Sequence, residues 1–153
     1  MLNIALFILG TAIIIWFIRD TWFPNLENIY RKNYKKLEKN TWETIDSLKK
    51  SPDYGNKEKA IKYYQKRLQD FEKAYINYLH LEERYRHDSK INQIKKDWKF
   101  YLDSVGKINK FNEEYDAYGM YSDANVVDEL RSREDKAEII IGEIEKRFDK
   151  YLK

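Results

Sequence analysis

The sequence predicts an all-α protein, with a single N-terminal transmembrane helix followed by an antiparallel helical bundle. Residues 2–18 carry no charged side chain, although charged residues make up 36% of the whole chain. Glycine and proline together number only seven, which favours long helices over a sheet with many turns. After residue 24, apolar residues recur at steps of three and four in four successive stretches, as expected for amphipathic helices.

The first predicted element is the apolar segment Leu2 to Ile18, in which only Asn3 and Thr11 are polar. A helix of this length rises about 25 Å, which approaches the thickness of the hydrocarbon core of a bilayer. A cleavable signal peptide would have a basic start and a pair of small residues after the apolar run, and both are missing here. We therefore predict a retained membrane anchor over residues 1–23.

The residues around the end of this segment predict its boundary with water. Aromatic rings favour the headgroup layer, and an arginine side chain can extend to it. The predicted interface residues are Trp16, Arg19, Trp22 and Phe23.

A basic run follows the predicted anchor. Its residues are candidate contacts with anionic lipid or signals for membrane topology: Arg31, Lys32, Lys35, Lys36 and Lys39. No Lys or Arg precedes the anchor, so the positive-inside rule places the N-terminus outside and residues 24–153 in the cytoplasm or in the equivalent compartment of an organelle.

Turn signals divide the remaining chain into four predicted helices, at about 25–50, 57–86, 90–117 and 124–152. Proline and glycine mark breaks within 51–56 and 118–123, and Pro24 marks a bend after the anchor. A weaker break at 86–89 contains neither residue, but an Asp or Ser there could cap a new helix.

Two architectures fit this division. In the first, four helices of similar length fold up and down with coiled-coil-like packing along their apolar stripes. In the second, the two middle helices continue as one long helix, and the outer helices pack on its two halves. The stripe is displaced between Tyr78 and Ile91, which are thirteen residues apart instead of two heptads, and this favours the four-helix bundle.

Charge predicts where the last helix packs. Residues 51–110 hold fourteen Lys and Arg against nine Asp and Glu, whereas residues 111–153 hold seven against twelve. We therefore expect the last helix to lie along the middle of the chain.

Few residues indicate chemistry. His80, Glu83 and His87 could share one side of a helix and bind a metal, but this spacing is more often that of surface side chains. The chain has no cysteine and no glycine-rich phosphate loop. Its net charge of +3 does not indicate a nucleic-acid partner. We predict no catalytic residue, no metal site and no cofactor.

Three functional hypotheses remain, in decreasing order of support. The first is a non-enzymatic interaction or scaffold protein tethered to the bilayer, with an unidentified protein partner. The second is a structural accessory subunit of a larger membrane complex, whose span packs closely through Ala5, Gly10 and Ala12. The third is a metal-binding bundle enzyme. The layout resembles that of membrane-tethered division regulators with spectrin-like helices and of accessory subunits of respiratory or ATP-synthase complexes. The oligomeric state stays open.

Overall fold

The computed structural model describes residues 25–50, 56–118 and 124–153, and in these ranges it contains four α-helices and no strand. The helices are α1 (Leu26–Lys50), α2 (Lys57–Arg84), α3 (Ile91–Tyr118) and α4 (Ala124–Leu152). The prediction of an all-α protein with four helices after residue 24 is confirmed. The alternative with one continuous central helix is wrong.

The predicted anchor, with Trp16, Arg19, Trp22 and Phe23, lies outside the described residues. Within the three ranges listed above, no helix combines the length and the apolar content needed to cross a bilayer.

Side-chain caps and short turns explain where these helices begin and end. The amide oxygens of Asn25 and Asn56 accept hydrogen bonds from backbone N–H groups three residues later, at 3.2 and 3.3 Å. Helix α2 ends at Arg84, two residues before the predicted position. The connection then turns through a backbone hydrogen bond from Asp88 N–H to the Tyr85 carbonyl, at 2.9 Å. The displaced stripe in the sequence therefore marks a true change of direction.

The two middle helices form an antiparallel hairpin, with α1 on one side of it and α4 on the other. The rings of Tyr30 in α1 and Tyr75 in α2 stack with centroids 3.8 Å apart. On the other side, α4 packs extensively against α3 and also contacts α2, as the charge distribution predicts. Among the described residues, α1 and α4 do not contact each other. Helix α1 consequently runs parallel to α3, and α2 runs parallel to α4.

An aromatic core joins the four helices. Trp98 is fully buried, and its ring lies 4.9 Å from Tyr78, 5.1 Å from Tyr101 and 6.4 Å from Phe148. These contacts link α2, α3 and α4, while Tyr30 brings α1 to the same indole at 6.3 Å. The residues at the predicted steps of three and four include Ile45, Phe71, Trp98 and Phe148, and none of those with a described side chain is exposed. The helical spacing therefore identified the core-facing side of every helix.

A buried pair of asparagines, which the apolar pattern did not indicate, fixes α1 against α3. The Asn33 side-chain nitrogen donates a hydrogen bond to the Leu102 carbonyl at 2.7 Å. The Asn109 side-chain nitrogen donates one to the Asn33 carbonyl at 3.2 Å. A shift of one helix along the other would leave these buried polar groups unpaired, so the pair specifies the register.

Candidate functional site

The basic run predicted to contact lipid or direct topology lies on α1, largely on its solvent-facing side. Three of its members form ion pairs, and these pairs reduce the positive charge that the run offers to a lipid surface. Arg31 pairs with Glu27 at 2.6 Å, and Lys39 pairs with Glu43 one turn later at 3.7 Å. Lys36 reaches across to Glu113 of α3 at 2.8 Å. The run therefore stabilises α1 and its contact with α3, and its role in topology stays a prediction.

The direction of α1 carries this run away from the point where the predicted anchor joins the bundle. Residue 25 lies at the end where α1 and α3 begin and where α2 and α4 end. We call it the proximal end. Helix α1 leaves this end at about 1.5 Å per residue, so Lys39 stands roughly 20 Å above Leu26 along the helix.

A groove opens at the proximal end between the start of α1, the end of α2 and the start of α3. Its volume is about 510 Å³. Tyr75, Tyr78 and Leu79 supply apolar surface, and three lysines of α3 add positive charge to the lining. The complete lining comprises Asn25, Leu26, Glu27, Tyr75, Tyr78, Leu79, Glu82, Lys95, Lys96 and Lys99. We call it the proximal groove.

An ion pair and a buried phenol set the electrostatics of this groove. Lys95 pairs with Glu82 at 3.1 Å. Burial, with a smaller contribution from Glu82, raises the pKa of the Tyr78 hydroxyl. Tyr30 stacks on Tyr75 without lining the groove itself, and burial raises the pKa of its hydroxyl to about 12. Both phenols therefore keep their protons at neutral pH and offer hydrogen-bond donors, while neither is suited to act as a base.

The connection between α2 and α3 is held to the end of α4 by an arginine and a tyrosine. The Arg84 guanidinium donates hydrogen bonds to the carbonyls of Tyr151 and Leu152, at 3.2 and 3.1 Å. The Tyr85 hydroxyl also donates to the Tyr151 carbonyl at 3.1 Å. Lys90 lies over the Tyr85 ring, 5.5 Å from its centroid. The hydrogen bonds from Arg84 and Tyr85 satisfy carbonyls that have no helical partner at the end of α4.

A second polar cluster lies between α2, α3 and α4. The Tyr101 hydroxyl donates a hydrogen bond to Glu145 at 3.1 Å, and both line a cavity of about 220 Å³. Burial raises the pKa of the Glu145 carboxyl, and it also raises the pKa of Tyr101. Nearby, Arg67 and Glu134 approach to 4.0 Å, which matches the charge complementarity expected between α2 and α4. The raised pKa values have a structural cause and do not by themselves indicate an active site.

The three residues considered as metal ligands do not share a helix face. His80 and Glu83 lie in α2, but the helix ends at Arg84, so His87 belongs to the connection. Both histidines are exposed. In the part of the chain that the structure describes, no group of three His, Asp or Glu side chains is placed to hold a metal ion.

Comparisons of the chain with protein-family models, with curated proteins and with solved structures give no match.

Proposed function

We propose that this protein is a membrane-tethered helical interaction protein without catalytic activity, held by residues 1–23 and presenting its bundle to a protein partner. The observation that carries the proposal is the apolar sequence of residues 2–18 next to a bundle that begins at Asn25. The only link between them is six residues long and contains Pro24. A short link of this kind keeps the bundle close to the bilayer.

The packing of the bundle supports a tether over a fixed subunit of a larger complex. Wherever the side chains are described, each of the four helices buries its apolar stripe against the others, so this core is formed within one chain. Among the described side chains, the large apolar ones that remain exposed are distributed over all four helices: Trp42, Tyr63, Ile76, Leu79, Phe100 and Ile139. Most of them stand alone, which is normal on monomeric proteins, whereas a permanent subunit interface is usually a large apolar surface.

The alternative of an accessory subunit draws its support from two of these side chains. Ile76 and Leu79 are adjacent on α2 and are 53% and 42% exposed, next to the proximal groove. Together with a span that has small residues at Ala5, Gly10 and Ala12, they would serve for lateral packing near the membrane.

The positive-inside rule supports a cytoplasmic position for the bundle in this proposal. The chain contains no cysteine, so single cysteines can report topology without background labelling. A cysteine at exposed Glu58 should react with a membrane-impermeant maleimide only after the cells are permeabilised, because the reagent then reaches the cytoplasm. Labelling in intact cells would contradict the cytoplasmic placement, but not the tether.

The tether itself is tested by extraction of the full chain from native membranes. We expect the chain to resist an alkaline carbonate wash, and we expect a variant lacking residues 2–18 to be released. The control for folding is the helical circular dichroism of both proteins, which should agree apart from the deleted segment. Release of the full chain by carbonate would refute the proposal. Stable co-migration with fixed partners after mild detergent extraction would favour the accessory subunit.

A further inference from the structure

The proximal end of the bundle is basic, and the opposite end is not. The proximal segments 25–32, 80–99 and 146–153 contain twelve Lys and Arg against six Asp and Glu. The segments at the other end, 43–50, 56–66, 109–118 and 124–131, contain eight of each sign. The excess positive charge thus lies at the end of the bundle to which residues 1–24 are joined.

The structure creates this asymmetry by bringing together segments that are far apart in the sequence. The up-and-down topology places the end of α2 and the start of α3 beside Asn25, and it brings the end of α4 to the same end of the bundle on the other side of the hairpin. The basic residues from these segments are Arg84, Arg86, Lys90, Lys95, Lys96, Lys99, Lys146, Arg147, Lys150 and Lys153. None of them belongs to the basic run of α1.

Some of these charges are committed to internal contacts, and others are available. Arg84 is bound to carbonyls of α4, and Arg147 approaches the buried carboxylate of Asp97 at 3.4 Å. Lys90 and Lys96 are exposed and form no ion pair with any described residue. Lys95 pairs with Glu82 but keeps about half of its side-chain surface in water. The available charges therefore lie at the connection between α2 and α3, at the rim of the proximal groove and at the end of α4, where Lys150 and Lys153 are also exposed.

We propose that the proximal end binds the headgroups of anionic phospholipids, so that the bundle stands on the bilayer with the connection between α2 and α3 in contact with it. This inference rests on the proposed membrane tether, which brings the proximal end to the surface. Electrostatic attraction acts within about 8 Å at physiological salt, so only charges at the proximal end are near enough to contribute. The apolar floor of the groove, with Tyr75 and Leu79, suits the boundary between headgroups and acyl chains.

The geometry fixes the height of the rest of the molecule. Helix α2 has 28 residues and extends about 42 Å, so its first turn would stand roughly 40 Å above the headgroups. A partner bound at the far end would then be held at that distance. Beyond Lys32, the basic run of α1 would extend up the side of the bundle, away from the lipid surface.

The test uses the full chain reconstituted in vesicles, with a fluorophore on a single cysteine. The substitution His87→Cys labels the connection between α2 and α3, and Glu58→Cys labels the far end as a control. The readout is quenching of the fluorophore by a nitroxide attached to lipid headgroups. We expect strong quenching at residue 87 in vesicles rich in phosphatidylserine, clearly weaker quenching there in pure phosphatidylcholine, and little at residue 58 in either.

Charge variants with a matched control test the cause. Lys90→Gln, Lys95→Gln and Lys96→Gln together should lower the equilibrium for contact by about a hundredfold, since each basic residue near an anionic surface contributes about fivefold. The control replaces three lysines at the start of α2, Lys57, Lys59 and Lys62, by Gln and should leave quenching at residue 87 unchanged. Raising the salt to about 1 M, where the screening length is about 3 Å, should also abolish the contact.

The outcomes separate this inference from the proposed tether. If the chain does not remain with the vesicles after carbonate treatment, the tether is refuted and the inference with it. If the chain remains but residue 87 is quenched equally in neutral and anionic vesicles, only the inference is refuted. Equal loss of quenching in the two triple variants would also refute it, because net charge and not the proximal end would then be responsible.

Discussion

The central position of Ile144 makes it the most direct test of the bundle. Ile144 is fully buried on α4 and belongs to the same core cluster as Trp98 and Phe148. Replacement by alanine removes three carbon atoms from a fully buried site, and a close-packed core relaxes only in part into such a space. Substitutions of this kind cost 2–5 kcal/mol, and the enclosed setting places Ile144→Ala at about 3 kcal/mol.

Ile139 on the same helix provides the matched control, because it is 62% exposed and outside the core cluster. Ile139→Ala should change the free energy of unfolding by less than about 0.5 kcal/mol, since alanine is also the better helix former.

The assay is urea unfolding of the full chain in a mild detergent, followed by circular dichroism. At a slope of about 2 kcal/mol per molar, Ile144→Ala should lower the midpoint by about 1.5 M, with no measurable shift for Ile139→Ala. Equal midpoints for the two variants would refute the assignment of the buried face of α4.

Three further predictions address the polar and glycine positions. Burial raises the pKa of the Glu145 carboxyl, so the folded state binds this proton more tightly than the unfolded state. The stability of the fold therefore falls as the pH rises through the range in which this carboxyl ionises. Glu145→Gln should therefore raise the melting temperature at pH 7, with a gain that shrinks towards pH 4, and a gain independent of pH would contradict this. Gly142 lies inside α4, and a methyl group there would meet nothing within 4 Å. Gly142→Ala should thus stabilise the protein by about 1 kcal/mol in the same unfolding assay, and destabilisation would show that the space is occupied. Asn33→Ala removes the hydrogen bond to the Leu102 carbonyl and leaves a small cavity, so we expect a loss of about 2 kcal/mol, whereas Asn28→Ala on the exposed side should have little effect. Similar losses for the two asparagine variants would show that the buried pair does not fix α1.

The sequence predicted the helices well because their determinants are local. Steps of three and four residues identify the buried face of a helix wherever its partner lies, and Trp98, Ile45 and Phe148 were all placed on that face. The displaced stripe near residues 86–89 correctly indicated a break, although its boundaries differ by one or two residues. Such shifts are normal, because capping by side chains decides the last turn.

The buried polar residues could not be predicted in this way. Asn33, Asp97 and Asn109 are hydrophilic, and each is buried only because another helix supplies a partner at the correct height. Asp97 and Arg147 also form an ion pair in which the acid lies in the net basic middle of the chain and the base lies in the net acidic α4. This is the reverse of the pairing that the net charges predict. Net charge therefore anticipated the neighbour of α4 but not the individual pairs.

The sequence by itself determined that the chain after residue 24 forms four amphipathic helices, since helical periodicity and turn residues act over short distances. Only the tertiary structure decided that α2 and α3 form the central hairpin, that α1 and α4 lie on opposite sides of it, and that basic residues from three distant segments meet at one end. Contacts between helices depend on the fit of whole side-chain surfaces in three dimensions, and the linear spacing of residues does not encode that fit.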